Sequence, residues 1–407
     1  MEKSGLHCSR HLLLKRLEME ETKLEDTAVD EFADIRPYEG KEFTDALARL
    51  LANKNLVTVF RRQAWPAFPE FFAPVVDTLC HWYLKWLVKG VKTSDELHAL
   101  ILERLISLVV KGTMSELTSE GSENLESGKH YLFVSNHRDI AMDPVVADYM
   151  LLRKGFPSFQ TAFGDNLLSS REVADAIRIN KAFIVQRGLE PLAQLKSSMT
   201  LSRYIRETIY NKDSVWIAQR EGRAKDGDDK TNPAIIKMFA LCNRQTGLTF
   251  SDYINSLNII PVAVSYEFDP CDRLKAREAA RRMEKSLKGE TYEKRKNEDF
   301  ISIVLGIQNK KGRVHIAFGK PLYREEWKNA KEVAQAIDDF ILTHYRLWPC
   351  NYLAYDIMNN TDKYVKQYTK DYRDKFMARF RRIPQTTLPY VLGAYAKPVE
   401  NAELYIE

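Results

Sequence analysis

A histidine and an aspartate stand six positions apart in Val134-Ser-Asn136-His137-Arg138-Asp139-Ile-Ala-Met-Asp143-Pro144. Imidazole is the side chain best suited to proton transfer near neutral pH. A carboxylate beside it fixes the tautomer and stabilises the imidazolium, so that His137 can take a proton from a hydroxyl. Asp143 is the first choice for that carboxylate, and Asp139, two residues from the histidine, competes with it. A helix-capping Asp beside a structural His is the bland alternative, and the segment alone does not separate the two. The His137-Arg138-Asp139 triplet also opens like a kinase catalytic loop. That motif requires an Asn where Pro144 stands, and neither a Gly-rich loop nor an Asp-Phe-Gly accompanies it, so the kinase reading is set aside.

Three further segments share one design, an apolar run that empties into a polar turn. Phe183-Ile-Val-Gln-Arg187-Gly188 delivers an arginine able to grip a phosphate with two parallel bonds, although a surface ion pair explains it equally. Gln219-Arg220-Glu221-Gly222-Arg223-Ala-Lys225 puts three cations within six residues around a glycine. Such a loop can cradle an anion or simply be solvated. Asn258-Ile-Ile-Pro261-Val-Ala-Val-Ser265 carries a proline near the start of an apolar strand, which suits an edge strand, a sheet entry or the wall of an apolar channel.

Positioning these segments is the task of alternating elements. His130–Val134, Ser158–Ala162, Ala182–Val185, Ser214–Ala218, Asn258–Ser265 and Arg313–Phe318 read as strands. Helical stretches lie near 144–154, 169–179, 190–211 and 232–244. This alternation predicts an α/β fold, a mostly parallel sheet flanked by helices, in which ligands bind beyond the carboxyl ends of the strands. Thr93-Ser-Asp-Glu96 predicts an N-cap for a helix reaching about Val110. A short helical pattern covers Leu12–Glu25, and another helix follows over Lys41–Leu51. The Gly/Ser/Asn/Glu cluster Ser119–Gly128 reads as a linker. The chain therefore divides into a helical, interfacial N-terminal region (1–127), an α/β domain (128–324) and a helical C-terminal region packing on the core (325–407).

Composition narrows the setting. The chain has 407 residues, 44% of them hydrophobic and 29% charged, enough for a sizeable core. The longest stretches free of Asp, Glu, Lys and Arg are 253–266 and 383–396, 14 residues each. A membrane-spanning helix needs about 20 apolar residues, so none is expected. The first residues lack the apolar run of a secretory signal. Five cysteines without a CxxC pair suit neither a disulfide framework nor a cysteine zinc site, and a reducing, cytoplasmic setting follows. The net charge of +5 is uneven: 8 basic against 12 acidic side chains over 1–50, and 14 against 7 over 271–320. The basic second half calls for an acidic partner.

In order and spacing, the four segments resemble the signature blocks of the lysophospholipid (glycerolipid) acyltransferase superfamily, over roughly residues 128–320. That family carries an Asn-His-(x)n-Asp block, a Phe-Ile-x-Arg block, a Glu-Gly-Thr-Arg block and a proline-bearing apolar strand. The resemblance implies transfer of a fatty acyl group to a glycerolipid hydroxyl, with His137 as base and Asp143 as its orienting carboxylate. By the same resemblance Phe183, Arg187, Glu221, Gly222, Arg223 and Pro261 bind substrate, joined by Asn136, Arg138 and Lys225 from the same loops. Two departures stand out. Five residues separate His137 from Asp143 where four are usual, a form that resembles a bacterial branch with His-Arg-Asp-Ile-x-x-Asp. The third block lacks its Thr, which opens the identity of the acceptor.

The implied donor is acyl-CoA or acyl-carrier protein, used as co-substrate, with no bound cofactor and no metal. The implied acceptor is 1-acylglycerol 3-phosphate, giving phosphatidate. A lyso-aminolipid, such as lyso-ornithine or lyso-glycine lipid, is the alternative acceptor. A non-catalytic lipid-binding module is the reading from another class. Work on amphiphiles without a spanning helix implies peripheral contact with an anionic membrane, at the inner face of the cytoplasmic membrane. Residues 71–91, where aromatics meet lysines, are one candidate contact, and Trp65 and Phe68 precede them in the same aromatic run. The other is the four-step stripe Tyr364, Tyr368, Tyr372, Phe376 and Phe380, for which packing on a core is the favoured reading. No recognised motif points to nucleic acid.

Overall fold

Short apolar strands alternating with helices build a seven-stranded sheet in the computed structural model, which describes residues 30–53, 57–58, 61, 69–168, 170–294 and 298–405. The helical pattern over Leu12–Glu25, together with Trp65 and Phe68, lies outside the described residues. Two units are distinguished, Met1–Ile35 and Arg36–Glu407. In the first, the Asp30 carboxylate accepts from the Phe32 N–H within a turn. Everything below concerns the second.

The second unit opens with helices α1 (Gly40–Ala52), α2 (Ala73–Leu87), α3 (Ser94–Ile101) and α4 (Ser107–Thr113). The Thr93 cap is present as a full capping box with Glu96. A single π-turn, Leu102–Ile106, interrupts the helix the sequence runs unbroken to Val110. The sheet then follows: β1 (Met114–Glu120), β2 (Leu132–Ser135), α5 (Met142–Arg153), β3 (Gln160–Gly164), α6 (Arg171–Arg178), β4 (Ala182–Val185), α7 (Pro191–Asn211), β5 (Val215–Ala218), α8 (Pro233–Phe239), α9 (Phe250–Ser256), β6 (Ile259–Tyr266), α10 (Asp272–Leu287), α11 (Glu298–Gln308) and β7 (Gly312–Phe318). The chain closes with α12 (Ala330–His344), α13 (Pro349–Asn359), α14 (Lys370–Ala378) and α15 (Leu388–Glu403).

Strand order is β1-β7-β6-β2-β5-β3-β4. Every neighbouring pair is parallel except β6 with β7. Leu132, Phe133, Val134, Val215, Trp216 and the whole of β6 are buried, as expected of inner strands covered on both faces. One core joins Phe133, Trp216, Val262, Val264, Ile316 and Phe318 to Met142, Val146 and Leu151 of α5.

Two sequence expectations are corrected here. Ser119–Gly128 is no linker. Its first residues complete β1, which pairs with β7 from Met114↔Gly312 to Glu120↔Ala317. Gly121 then turns with φ 78° against the Phe318 carbonyl, where a Cβ would fall 1.8 Å from the oxygen. The sheet therefore begins at Met114, ahead of the boundary drawn at residue 127. Polar side chains hide this strand because it forms a half-exposed sheet edge. Pro261, in turn, sits on an inner strand. The antiparallel ladder with β7 starts only at Val262↔Phe318, and the Gly319 N–H donates to the Pro261 carbonyl at 2.9 Å. The proline thus occupies a position where β7 has already ended.

The C-terminal helices pack on this core. α12 lies against β6. Phe376 and Phe380 are buried with Trp348, Leu353 and Tyr395. Tyr364, Tyr368 and Tyr372 donate to Glu403, Asp356 and Glu267. The aromatic stripe therefore faces inward.

Candidate active site

The carboxyl ends of β2, β4 and β5 open onto one cavity of about 370 Å³. His137 reaches it from the loop after β2, Arg187 from the loop after β4, and Arg220, Glu221, Gly222, Arg223 and Lys225 from the loop after β5. Parallel strands make this convergence, since each releases its chain at the same edge of the sheet.

His137 is oriented by Asp143. Its Nδ1 lies 3.0 Å from Asp143 Oδ2, and the carboxylate is fully buried at the first turn of α5. The same oxygen accepts the N–H groups of Arg138 (2.6 Å) and Asp139 (2.9 Å), while Oδ1 accepts the Tyr266 hydroxyl (2.9 Å). Four donors on two oxygens fix the carboxylate in one orientation. Trp216 meets the imidazole edge-on, ring centroids 6.2 Å apart. Nε2 has no hydrogen-bond partner among the described residues, and the ring borders the cavity.

Asp139 does different work. Its Oδ1 accepts the N–H groups of Ala141 (3.1 Å) and Met142 (2.9 Å) and so closes the turn that absorbs the additional residue. Burial, then the neighbouring Asp143 charge, push its carboxyl above the usual range. The two aspartates divide the labour between dyad and turn.

Arg223 is the most enclosed cation of the cavity. Nη2 donates to Ser302 Oγ at 3.1 Å, while Nη1 is buried with no hydrogen-bond partner among the described residues. Arg223 borders the cavity, and a guanidinium there can pair with an anionic ligand. Gly222, at φ 71°, gives the loop its sharp turn. Arg187 lies 3.4 Å from Glu221, and it crosses Gly164, where a Cβ would sit 3.0 Å from the guanidinium carbon. Lys225 pairs with the buried Glu278 of α10. Burial lowers its ammonium from the ordinary lysine value, with Glu278 opposing.

The other sequence-named residues stand back from the cavity. Asn136 is fully buried, and its side-chain amide donates to the Val264 carbonyl (3.0 Å) and accepts the Val264 N–H (2.8 Å), extending the β2–β6 ladder by a side chain. Arg138 turns away to the buried Asp229 and covers the Tyr345 ring at 4.9 Å. Phe183 packs on Tyr204 in the core. Pro261 abuts Gly319.

Some cavity residues carry no sequence signal. Lys294 and Asp299 line it from the segment before β7, paired at 2.7 Å, and Asn166 binds the second Asp299 oxygen at 3.1 Å. The charge-rich run 273–296 reads from sequence as a surface for acidic partners. Within it Lys275 is buried on Asp269, and Lys294 looks into the site. Ser302 is equally silent, because its use depends on a contact across 79 positions.

Residues 116–265 match the Acyltransferase family. This segment belongs to that family. Among solved structures, a match is the 1-acyl-sn-glycerophosphate (LPA) acyltransferase PlsC from Thermotoga maritima. It is 12% identical, covers 73% of this chain and 94% of that chain, and gives a TM-score of 0.38. A comparison with curated proteins yields no match. The acyltransferase segment contains β1 to β6 almost entirely, and with them His137, Asp143, Arg187 and the Arg223 loop. α10, α11 and the stretch between them lie beyond it, although they supply Glu278, Lys294, Asp299 and Ser302.

Proposed function

We propose that the protein transfers a fatty acyl group from acyl-CoA or acyl-carrier protein to the free hydroxyl of a lysophospholipid. The leading acceptor is 1-acylglycerol 3-phosphate, and the product is then phosphatidate. The observation that carries this reading is the oriented His137–Asp143 pair facing a cavity bordered by the buried Arg223. His137 Nε2 removes the hydroxyl proton as the oxygen attacks the thioester carbonyl, and Asp143 steadies the imidazolium. The tetrahedral intermediate then expels the thiolate, which takes the proton back from the His137 imidazolium. A positioned base contributes about 10²–10⁴ in rate. Arg223 and Arg187 hold the acceptor's phosphate. No step calls for a metal or bound cofactor.

Exposed apolar residues support work at a lipid surface. Leu189, Leu192 and Leu195 are exposed beside the cavity-lining Gly188 and Gln194. α2 buries only Ala73 among its residues, leaving Trp82 at 66% and Trp86 at 55% exposure, with Phe71 at 86% just before it. Lys85 and Lys89 flank these rings. No helix among the described residues is long and apolar enough to cross a membrane. An interfacial helix on the inner face of the cytoplasmic membrane fits this pattern.

A second acceptor class has its own support. Arg187 and Lys294 each pair with a carboxylate that lines the cavity, Glu221 and Asp299, and Lys225 pairs with the buried Glu278 behind it. Such mixed charge suits a head group bearing both signs, as in a lyso-aminolipid. Purified protein assayed with acyl-CoA and acyl-carrier protein against lysophosphatidate and lyso-aminolipids decides the matter. Acylated product from lysophosphatidate is expected. Transfer only to aminolipids selects the second class, and absence of transfer with every pair rejects both.

A further inference from the structure

We propose that Tyr266 is a positioning residue for acyl transfer, holding the second oxygen of Asp143 so that the first faces His137; the inference rests on the acyltransferase reading above. All donors native to the His137–Asp143 loop converge on one atom. His137 Nδ1 and the N–H groups of Arg138 and Asp139 meet Oδ2, and none of them reaches Oδ1. Without a further donor the buried carboxylate can pivot about its Cβ–Cγ bond, and a pivot misdirects the imidazole. The Tyr266 hydroxyl, 2.9 Å from Oδ1, supplies the missing restraint from a different strand. It comes from the end of β6, paired with Val314 of β7, so its position is set by the sheet and not by the loop.

A hydroxyl here carries a cost that a phenylalanine would avoid. The ring is buried at the end of a strand that is apolar from Ile259 to Val264, where a polar group is tolerated only when bonded. Its partner is the dyad carboxylate. Burial, then the Asp143 charge, raise the phenol well above its ordinary value, so it stays protonated and donates. Tyr266 also stands one position past the family-matched stretch 116–265. The charged groups facing the cluster are Arg138 and Asp139 from the loop, Arg223, Lys225 and Asp229 after β5, Asp269 after β6, Asp272 and Lys275 on α10, and Lys311 before β7.

The test compares wild type with Tyr266→Phe in the full chain. Two readouts are followed: acceptor kinetics against pH, and the low-field imidazole proton of His137 by NMR without substrate. The phenol draws charge from Asp143. Its removal leaves a more basic carboxylate that favours the imidazolium. Expected are a kcat about tenfold lower, a KM within twofold, an acid limb of kcat/KM moved to higher pH, and a displaced His137 proton line. A 3-fluorotyrosine installed at 266 donates more strongly and is expected to move the acid limb the opposite way. Wild-type kcat, acid limb and proton line in Tyr266→Phe overturn the proposal, and so does lowered thermal stability with all three unmoved. A wild type that shows the displaced line in the variant yet transfers no acyl group from any donor supports the positioning role and refutes the activity instead.

Discussion

The backbone N–H of Ala224 donates to the carbonyl of His137 at 2.9 Å. Residue 137 bears the imidazole and residue 224 follows Arg223, so imidazole and guanidinium are pinned to each other through one main-chain bond. Under the proposed function, the hydroxyl to be deprotonated and the head group that carries it would thereby be held at a fixed separation. Effective positioning of this kind is worth several kcal/mol of barrier, about 7–11 in the best cases.

Replacing either member of the dyad separates the two aspartates. His137→Ala is expected to lower kcat by about 10²–10⁴-fold, with Asp143→Asn close behind. Asp139→Asn keeps the oxygen that accepts from Ala141 and Met142, and turnover within a few-fold of wild type is expected. Steady-state assays on the three purified variants check this; a silent Asp143→Asn beside a dead Asp139→Asn would transfer the dyad role to Asp139.

Arg223→Ala is expected to raise the KM for a phosphate-bearing acceptor by roughly ten- to hundred-fold, the worth of one charge-assisted hydrogen bond. Lysine at 223 restores charge but not the fork that reaches both Ser302 and the ligand, and rescue is therefore partial. Ser302→Ala is expected to move KM in the same direction by a smaller factor. An acceptor titration at saturating donor measures all three.

Trp82→Ala with Trp86→Ala removes two exposed rings from α2. Partition onto anionic vesicles is expected to fall at least about tenfold, as read by co-sedimentation. Undiminished partition would place lipid contact elsewhere.

Asp338 on α12 accepts the Thr231 N–H at 2.7 Å and the Thr231 hydroxyl at 2.5 Å, which ties α12 to the loop after β5. Burial raises its carboxyl from 3.8 to about 6. A carboxyl raised by folding stays protonated in the native chain while it ionises in the unfolded one. Its stabilising share is present at low pH and is lost as pH rises from about 4 through 6. Asp338→Asn keeps the acceptor and cannot ionise. Thermal melts are expected to coincide with wild type near pH 4, and the variant is expected to be more stable above pH 7, by about 1–3 kcal/mol.

Much of this architecture was legible because the buried parallel strands are apolar throughout and end in polar turns, as β4 and β5 do before Arg187 and Arg220. β1 escaped because Met-Ser-Glu-Leu-Thr-Ser-Glu is half-exposed along its length and so carries no continuous apolar run. Asn136 reads as a site residue by its place beside His137, yet its amide replaces main-chain groups between β2 and β6. That substitution is invisible without knowing which strand lies next door. Asp299 and Tyr266 were hidden for a related reason: each acts on a partner more than a hundred positions away, Asn166 and Asp143. The aromatic stripe near 370 obeyed helical spacing but could not declare its direction, and it turned toward Trp348 and Tyr395.

The lone antiparallel junction, between β6 and β7, has a developmental consequence for the family of shapes this fold can take. Because β7 runs backward, the excursion carrying α10 and α11 leaves and rejoins the sheet at the ligand-facing edge. It can lengthen, shorten or be exchanged without breaking a crossover elsewhere. Its contacts fall on Arg223 through Ser302, on Lys225 through Glu278, and on Asn166 through Asp299. The excursion behaves as an interchangeable jaw: rewriting residues 267–311 changes one wall of the cavity while the His137–Asp143 pair stays in place.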